Sequence, residues 1–130
     1  MNPLRIVFRT DANQQIGTGH FMRCLTLADE LRRSHADICF VARALPMHLQ
    51  QMLAERGIQC IALPQTETTQ ETDDLPHAAW LKTTQAYDAE QTLAALGEGT
   101  WDWLVVDHYA LNHRFEKSLR SVCQQVMVID

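Results

Sequence analysis

The apolar stretch from Leu4 to Arg9, broken only by Arg5, stops at Thr10-Asp11. Within a few residues it gives way to Ile16-Gly17-Thr18-Gly19-His20-Phe21-Met22-Arg23. That succession reads as a strand, a glycine-punctuated turn and the start of a helix. A strand that is apolar almost throughout belongs in a parallel sheet covered on both faces. Parallel neighbours cannot be joined by a hairpin, so each needs a helical crossover. The opening therefore commits the chain to alternating strands and helices. In such sheets ligands collect where strands run out into helices. A histidine in the first helical turn at that junction is unusual.

The remaining segments keep the alternation. Phe21, Cys24, Leu25, Ala28 and Leu31 recur with helical spacing and define one buried stripe, with Asp29 and Arg33 paired on the wet side. Ile38 to Ala42 is a second strand. Pro46 suits the first turn of a short helix with Leu49, Met52 and Leu53 on its apolar face, and Gly57 stops it. Ile58 to Leu63 is a third strand. Gln65 to Asp74 is polar and aperiodic, and reads as a surface loop. A helix is expected over His77 to Gln85. Asp88 with Gln91 resembles a capping box for another helix, which ends at Gly97. Trp101 to Val106 is a fourth strand, ending in Asp107-His108-Tyr109. Asn112 can cap a helix that buries Phe115 and Leu119, and Val126 to Ile129 is the fifth strand. The expected fold is a doubly wound, Rossmann-like parallel sheet.

Size and charge exclude several classes. At 130 residues the chain is one domain with room for a real core. The formal net charge of −5 and the lack of a basic run leave no electrostatic footprint for nucleic acid. No apolar run reaches the length of a membrane span or a signal-peptide core. Cys24, Cys39, Cys60 and Cys123 lack paired spacing and sit in apolar settings, as reduced core thiols of a cytoplasmic protein do. His35, His48, His77 and His113 show no ligand spacing and read as surface residues, so no metal is expected.

With strand order 3-2-1-4-5, the switch point lies between strands one and four. Asp11 to Arg23 then faces Asp107, His108 and Tyr109 across one crevice. His20 is the first candidate. The helix macrodipole disfavours a positive charge there, and a neutral imidazole suits a general base. The alternative is a histidine that simply lies at a helix start. Gly17 and Gly19 lack the third glycine of a dinucleotide fingerprint, because Met22 takes that place. No acidic residue closes the second strand, where Arg43 stands instead. A bound dinucleotide is not expected, and no other cofactor is implied. Asp11 and Asp107 are either turn formers or site carboxylates. Arg9 and Arg23 could meet an anion, or serve in structural ion pairs.

Three segments carry a resemblance. Arg9-Thr10-Asp11, Ile16-Gly17-Thr18-Gly19-His20 and Met22 to Ala28 strongly resemble the opening of the PseG family, the UDP-2,4-diacetamido-2,4,6-trideoxy-β-L-altropyranose hydrolases of pseudaminic acid biosynthesis. Phe40-Val41, Arg43 to Pro46 and Trp103 to Leu111 match further family segments, with Met47 where relatives often carry Gly. The likeness runs from residue 5 to 130. It implies the N-terminal half of a two-domain GT-B-like fold, similar to the glycosyltransferase MurG. The implied reaction is metal-independent hydrolysis at the anomeric carbon, releasing UDP and an inverted free sugar.

On that resemblance His20 is the base that activates water and Tyr109 lines the sugar site. Arg9, Asp11, Gly17, Gly19, Arg23, Asp107 and His108 are the remaining candidates for substrate contact. The partners implied are a UDP-sugar and a C-terminal UDP-binding domain that residues 1–130 do not include. A strand that runs to Asp130 fits a fragment cut at a domain boundary, inactive by itself. The alternatives are an acceptor-binding domain of a similarly folded glycosyltransferase, or a non-catalytic nucleotide-sugar module.

Overall fold

The computed structural model of the chain describes residues 3–64, 73–75 and 77–129. Its elements alternate as β1 (Arg5–Thr10), α1 (Gly19–Arg33), β2 (Asp37–Ala42), α2 (Met47–Glu55), β3 (Gln59–Ala62), α3 (Gln85–Leu96), β4 (Trp101–Asp107), α4 (His113–Leu119) and β5 (Cys123–Val128). The sheet is parallel throughout, in the order β3-β2-β1-β4-β5. This is the expected Rossmann-like α/β architecture. Winding runs from β1 out to β3, then returns to place β4 against the other side of β1.

Strand alternation divides the core into two layers. Ile6 and Phe8 of β1 share one layer with Ile38 and Phe40 of β2, Phe21, Cys24, Leu25 and Ala28 of α1, and Leu49 and Leu53 of α2. Phe8 and Phe40 are register partners, and their rings stack at 4.9 Å. Phe21 closes on Phe40 at 5.7 Å. Val7 points the other way, to a layer with Leu104 and Val106 of β4, Ala89 of α3, and Phe115 and Leu119 of α4. Each aromatic pair adds roughly 0.5–1.5 kcal/mol beyond the area it buries.

Arg9 continues the Val7 side of β1, so its side chain enters the second layer. It is fully buried. Its Nε and Nη2 reach Asp88 of α3 at 3.0 and 2.6 Å, and Nη1 reaches Asp11 at 2.8 Å. Arg43, just past β2, reaches the same Asp88 at 3.0 Å and also bonds Gln91. Two guanidinium groups and two carboxylates thus balance beneath the C-terminal edge of the sheet. Burial opposes the charge on Asp88, but Arg9 and then Arg43 hold its carboxyl below the usual carboxylate range.

Some local expectations are corrected. Thr84 caps α3 by accepting from Tyr87 N–H at 3.2 Å, so Asp88 and Gln91 form no capping box. Asp88 lies one turn into the helix on its buried face, where Arg9 draws it. The helix expected over His77 to Gln85 is a single 3₁₀ turn, Ala78–Leu81, ended by Lys82 in the left-handed region at φ +67°. Pro46 lies before α2 as its N-cap. Asp29 pairs with Arg56, just past α2, at 3.2 Å, while Arg33 takes Glu30 at 3.1 Å. Most of the loop expected from Gln65 to Asp74 lies outside the described residues.

The four cysteines are free thiols, three of them buried. Burial pushes Cys39 up to about 12 and Cys123 to about 11. No helix of the described residues is long and apolar enough to cross a membrane.

Removing the Asp88 carboxylate takes a shared ion-pair partner from two buried guanidinium groups; Arg9 keeps Asp11, and Arg43 keeps the neutral acceptors Pro64 and Gln91. Asp88→Ala is expected to lower unfolding free energy by about 3–5 kcal/mol, read from urea titration at constant m. A loss under ~1 kcal/mol, as for surface pairs, would contradict a buried role. The pH dependence follows from the depressed carboxyl. Its contribution is complete above the unfolded value of ~3.9 and disappears as pH falls through the lower folded value. The gap between wild type and Asp88→Ala should therefore close on acidification and not on raising the pH.

Candidate active site

Two strand ends meet at the switch point. Thr10 of β1 is the register partner of Asp107 of β4, and Thr10 Oγ1 donates to the Asp107 carbonyl at 3.1 Å. From there the period of two does the sorting. Asp107 follows the side of Val105 and points to the α1 layer. His108 follows the side of Val106 and points to the other layer.

His20 is the second residue of α1, with Arg23 and Cys24 one turn further on the same face. His20 Nδ1 lies 2.6 Å from Asp107 Oδ1. Arg23 grips the same carboxylate through both Nε and Nη2. The Cys24 thiol donates to Asp107 Oδ2 at 3.6 Å. Nη2 of Arg23 also comes within 3.3 Å of His20 Nδ1. A guanidinium only donates and an ionised carboxylate only accepts, so this approach reflects two donors sharing the Asp107 acceptor. Nδ1 of His20 therefore donates to Asp107, and in the neutral ring Nε2 is the nitrogen that keeps a lone pair. Nε2 has no hydrogen-bond partner among the described residues. The side chain is only 11% exposed, so it is sheltered but reachable.

Burial opposes ionisation of Asp107. The hydrogen bonds from Arg23 and then His20 outweigh it and hold the carboxyl below its usual range. Burial, with Asp107 adjacent, pushes the Cys24 thiol well up. Cys24 thus acts as a neutral donor rather than a nucleophile.

His108 is held by the opposite strand end. Its Nδ1 accepts from Ala110 N–H at 3.1 Å, so Nε2 bears the proton and donates to Asp11 at 2.9 Å. Asp11 also accepts from Arg9 and from the backbone N–H of Arg43 and Ala44. Burial disfavours its charge, yet Arg9 and then His108 hold its carboxyl far below the usual range.

The turn that carries α1 is built by Asn13. Its carbonyl accepts from Gly17 N–H at 2.7 Å, and its side chain accepts from Ile16 N–H at 2.7 Å. Gly17 takes φ +82°, a conformation that disfavours side chains. Thr18 provides no side-chain cap. The first amides of α1, including those of Gly19 and His20, therefore lack helix partners. A Cβ added at Gly19 would meet nothing within 4 Å.

The candidates thus separate into two groups. His20, Arg23, Asp107 and Tyr109 come together at the crevice, with Gly17 and Gly19 in the turn leading to it. Arg9, Asp11 and His108 lie underneath, buried and committed to one another. His77, read from the sequence as a surface residue and exposed here, stacks on Tyr109, and Trp80, which the sequence did not single out, lies tilted against the same ring. Their i, i+3 spacing ahead of α3 was the available signal. Among the described residues no group of three or more His, Cys, Asp or Glu side chains is placed to hold a metal ion.

Fold and site define a Rossmann-like α/β protein with an aspartate–histidine pair at its switch point. Comparison with family models, curated proteins and solved structures gives no match for this chain.

Carbon-detected NMR titration should find the Asp107 carboxyl ionising below the ordinary ~3.9. Arg23→Met removes its strongest partner and should move that titration upward. An unchanged midpoint would show that Arg23 does not hold the carboxylate.

Proposed function

We propose that this chain is the base-bearing half of a UDP-sugar hydrolase, with the activity of the family it resembles. The substrate is a UDP-linked 2,4-diacetamido-2,4,6-trideoxy hexose, and the products are UDP and the free sugar with inverted anomeric configuration. The observation that carries this reading is the orientation of His20. Asp107 accepts the hydrogen bond from Nδ1–H, which leaves Nε2 of the neutral ring as a sheltered acceptor at the sheet's switch point.

Water is a poor nucleophile, and its proton must leave as the new bond forms. In this reading Nε2 of His20 accepts that proton while the water oxygen bonds the anomeric carbon. The bond from that carbon to the diphosphate oxygen breaks, and UDP leaves with the electron pair. Attack opposite the leaving group inverts the centre. Asp107 stabilises the imidazolium that results, and Arg23 keeps Asp107 ionised. UDP needs no protein acid when its diphosphate is held by amides and cations. The uncapped start of α1 can serve as one such anion site. A C-terminal domain supplies most of the UDP contacts.

In the two-domain enzyme, His20→Ala should lower turnover by about 10²–10⁴-fold. Asp107→Asn should follow it, because an amide can stabilise the wrong tautomer and cannot balance the imidazolium. Coupled detection of UDP release without any acceptor sugar separates hydrolysis from glycosyl transfer. Turnover near the wild-type rate in His20→Ala would remove the base from the mechanism. The 130-residue chain by itself should bind UDP weakly in titration calorimetry and release none.

A further inference from the structure

Beside the His20–Asp107 pair lies a group of rings that proton transfer does not use. Tyr109, just past β4, is 44% exposed. Trp80 belongs to the 3₁₀ turn ahead of α3, and His77 is the residue that immediately precedes that turn. His77 lies on Trp80 with centroids 4.3 Å apart and planes 32° apart. It also stacks on Tyr109 at 5.5 Å and 29°, and Trp80 is 6.0 Å from Tyr109 at 31°. His20 meets Tyr109 edge-on, at 4.7 Å and 89°. The three rings thus pack on one another as one aromatic cluster, with the His20 ring at right angles to Tyr109. None of the three side chains has a hydrogen-bond partner among the described residues; His77 and Tyr109 are exposed, while Trp80 is partly buried against the core.

Aromatic faces are electron-rich. They suit the C–H bonds on the apolar face of a pyranose, while the ring edges suit its hydroxyl and amide groups. They also suit a nucleobase. Distance from the chemistry decides between the two. The reacting carbon must lie near a water that touches His20 Nε2. A ribose and two phosphates separate a nucleobase from that carbon, whereas the sugar ring contains it. Tyr109, in contact with His20, therefore falls on the sugar, and His77 and Trp80 extend that site because they pack on Tyr109.

We propose that Tyr109, His77 and Trp80 form a platform for the C–H face of the substrate's pyranose, with His77 and Trp80 setting which sugar is accepted. This inference rests on the hydrolase reading for its choice of ligand. It does not depend on turnover for its test.

The test is saturation-transfer NMR on this chain with UDP-N-acetylglucosamine as the probe. The hexosamine ring protons should receive more saturation than the uracil protons. Trp80→Leu and His77→Ala should each weaken that sugar contact about two- to tenfold, the scale of one lost ring contact. His77 is exposed, so His77→Ala keeps the test decisive if Trp80→Leu fails to fold by circular dichroism. Saturation mainly on uracil would assign the platform to the base and overturn the proposal. Equal sugar saturation in a folded variant, or none in the wild type, would also overturn it. A sugar contact that follows these rings while His20→Ala retains full turnover would sustain the platform and sink the hydrolase mechanism instead.

Discussion

The pairing of β1 with β4 is the constraint on which the rest depends. It sets Thr10 opposite Asp107. Because successive strand residues face opposite ways, it sends Asp107 toward α1 and His108 toward α3. A slip of one residue would exchange those directions. His20 would then face an imidazole, and Asp11 would face a carboxylate. The register is held by apolar residues in both layers, so the same burial that stabilises the sheet also aims the site.

Beneath this junction the buried ion network acts as a foundation. Arg9 bridges Asp11 and Asp88, Arg43 joins Asp88 to the end of β2, and His108 ties Asp11 to the end of β4. The pieces come from β1, from the segments just past β2 and β4, and from α3. Desolvating these charges is costly. The arrangement holds because each charge meets an opposite one and most spare polar atoms are hydrogen-bonded. Its effect on the site is indirect. It ties down the chain ends beside Asp107, and rigid support of that kind keeps the His20–Asp107 pair in fixed geometry.

Much of this could be read from the residues. The apolar run through Ile6, Val7 and Phe8 implied a doubly covered parallel strand, and the helical spacing from Phe21 to Ala28 implied its crossover. The order of strands was the one doubly wound folds commonly adopt rather than one read from residues, and on it His20 was placed facing Asp107 to Tyr109 across one crevice. The partners of Arg9 and Arg43 could not be read, because Asp88 lies 79 residues from Arg9 and such contacts leave no local period. One clue was present. An arginine inside a strand with no wet face must be buried, and a buried arginine needs carboxylates. Asp88 was misread as a cap because its spacing to Gln91 imitates one, while Thr84 already held that role. His77 was rightly read as a surface residue, but its grouping with Trp80 and Tyr109 escaped notice because one 3₁₀ turn is shorter than any periodicity window.

The central claim is that Asp107 fixes the tautomer of His20 and leaves Nε2 free. Long-range ¹⁵N–¹H correlation NMR of the imidazole reads this directly. The account predicts, for the neutral ring, a protonated Nδ1 and a bare Nε2, with the preference lost in Asp107→Ala. A neutral His20 protonated at Nε2 in the wild type would contradict it, because the nitrogen facing the crevice would then have no lone pair with which to take a proton.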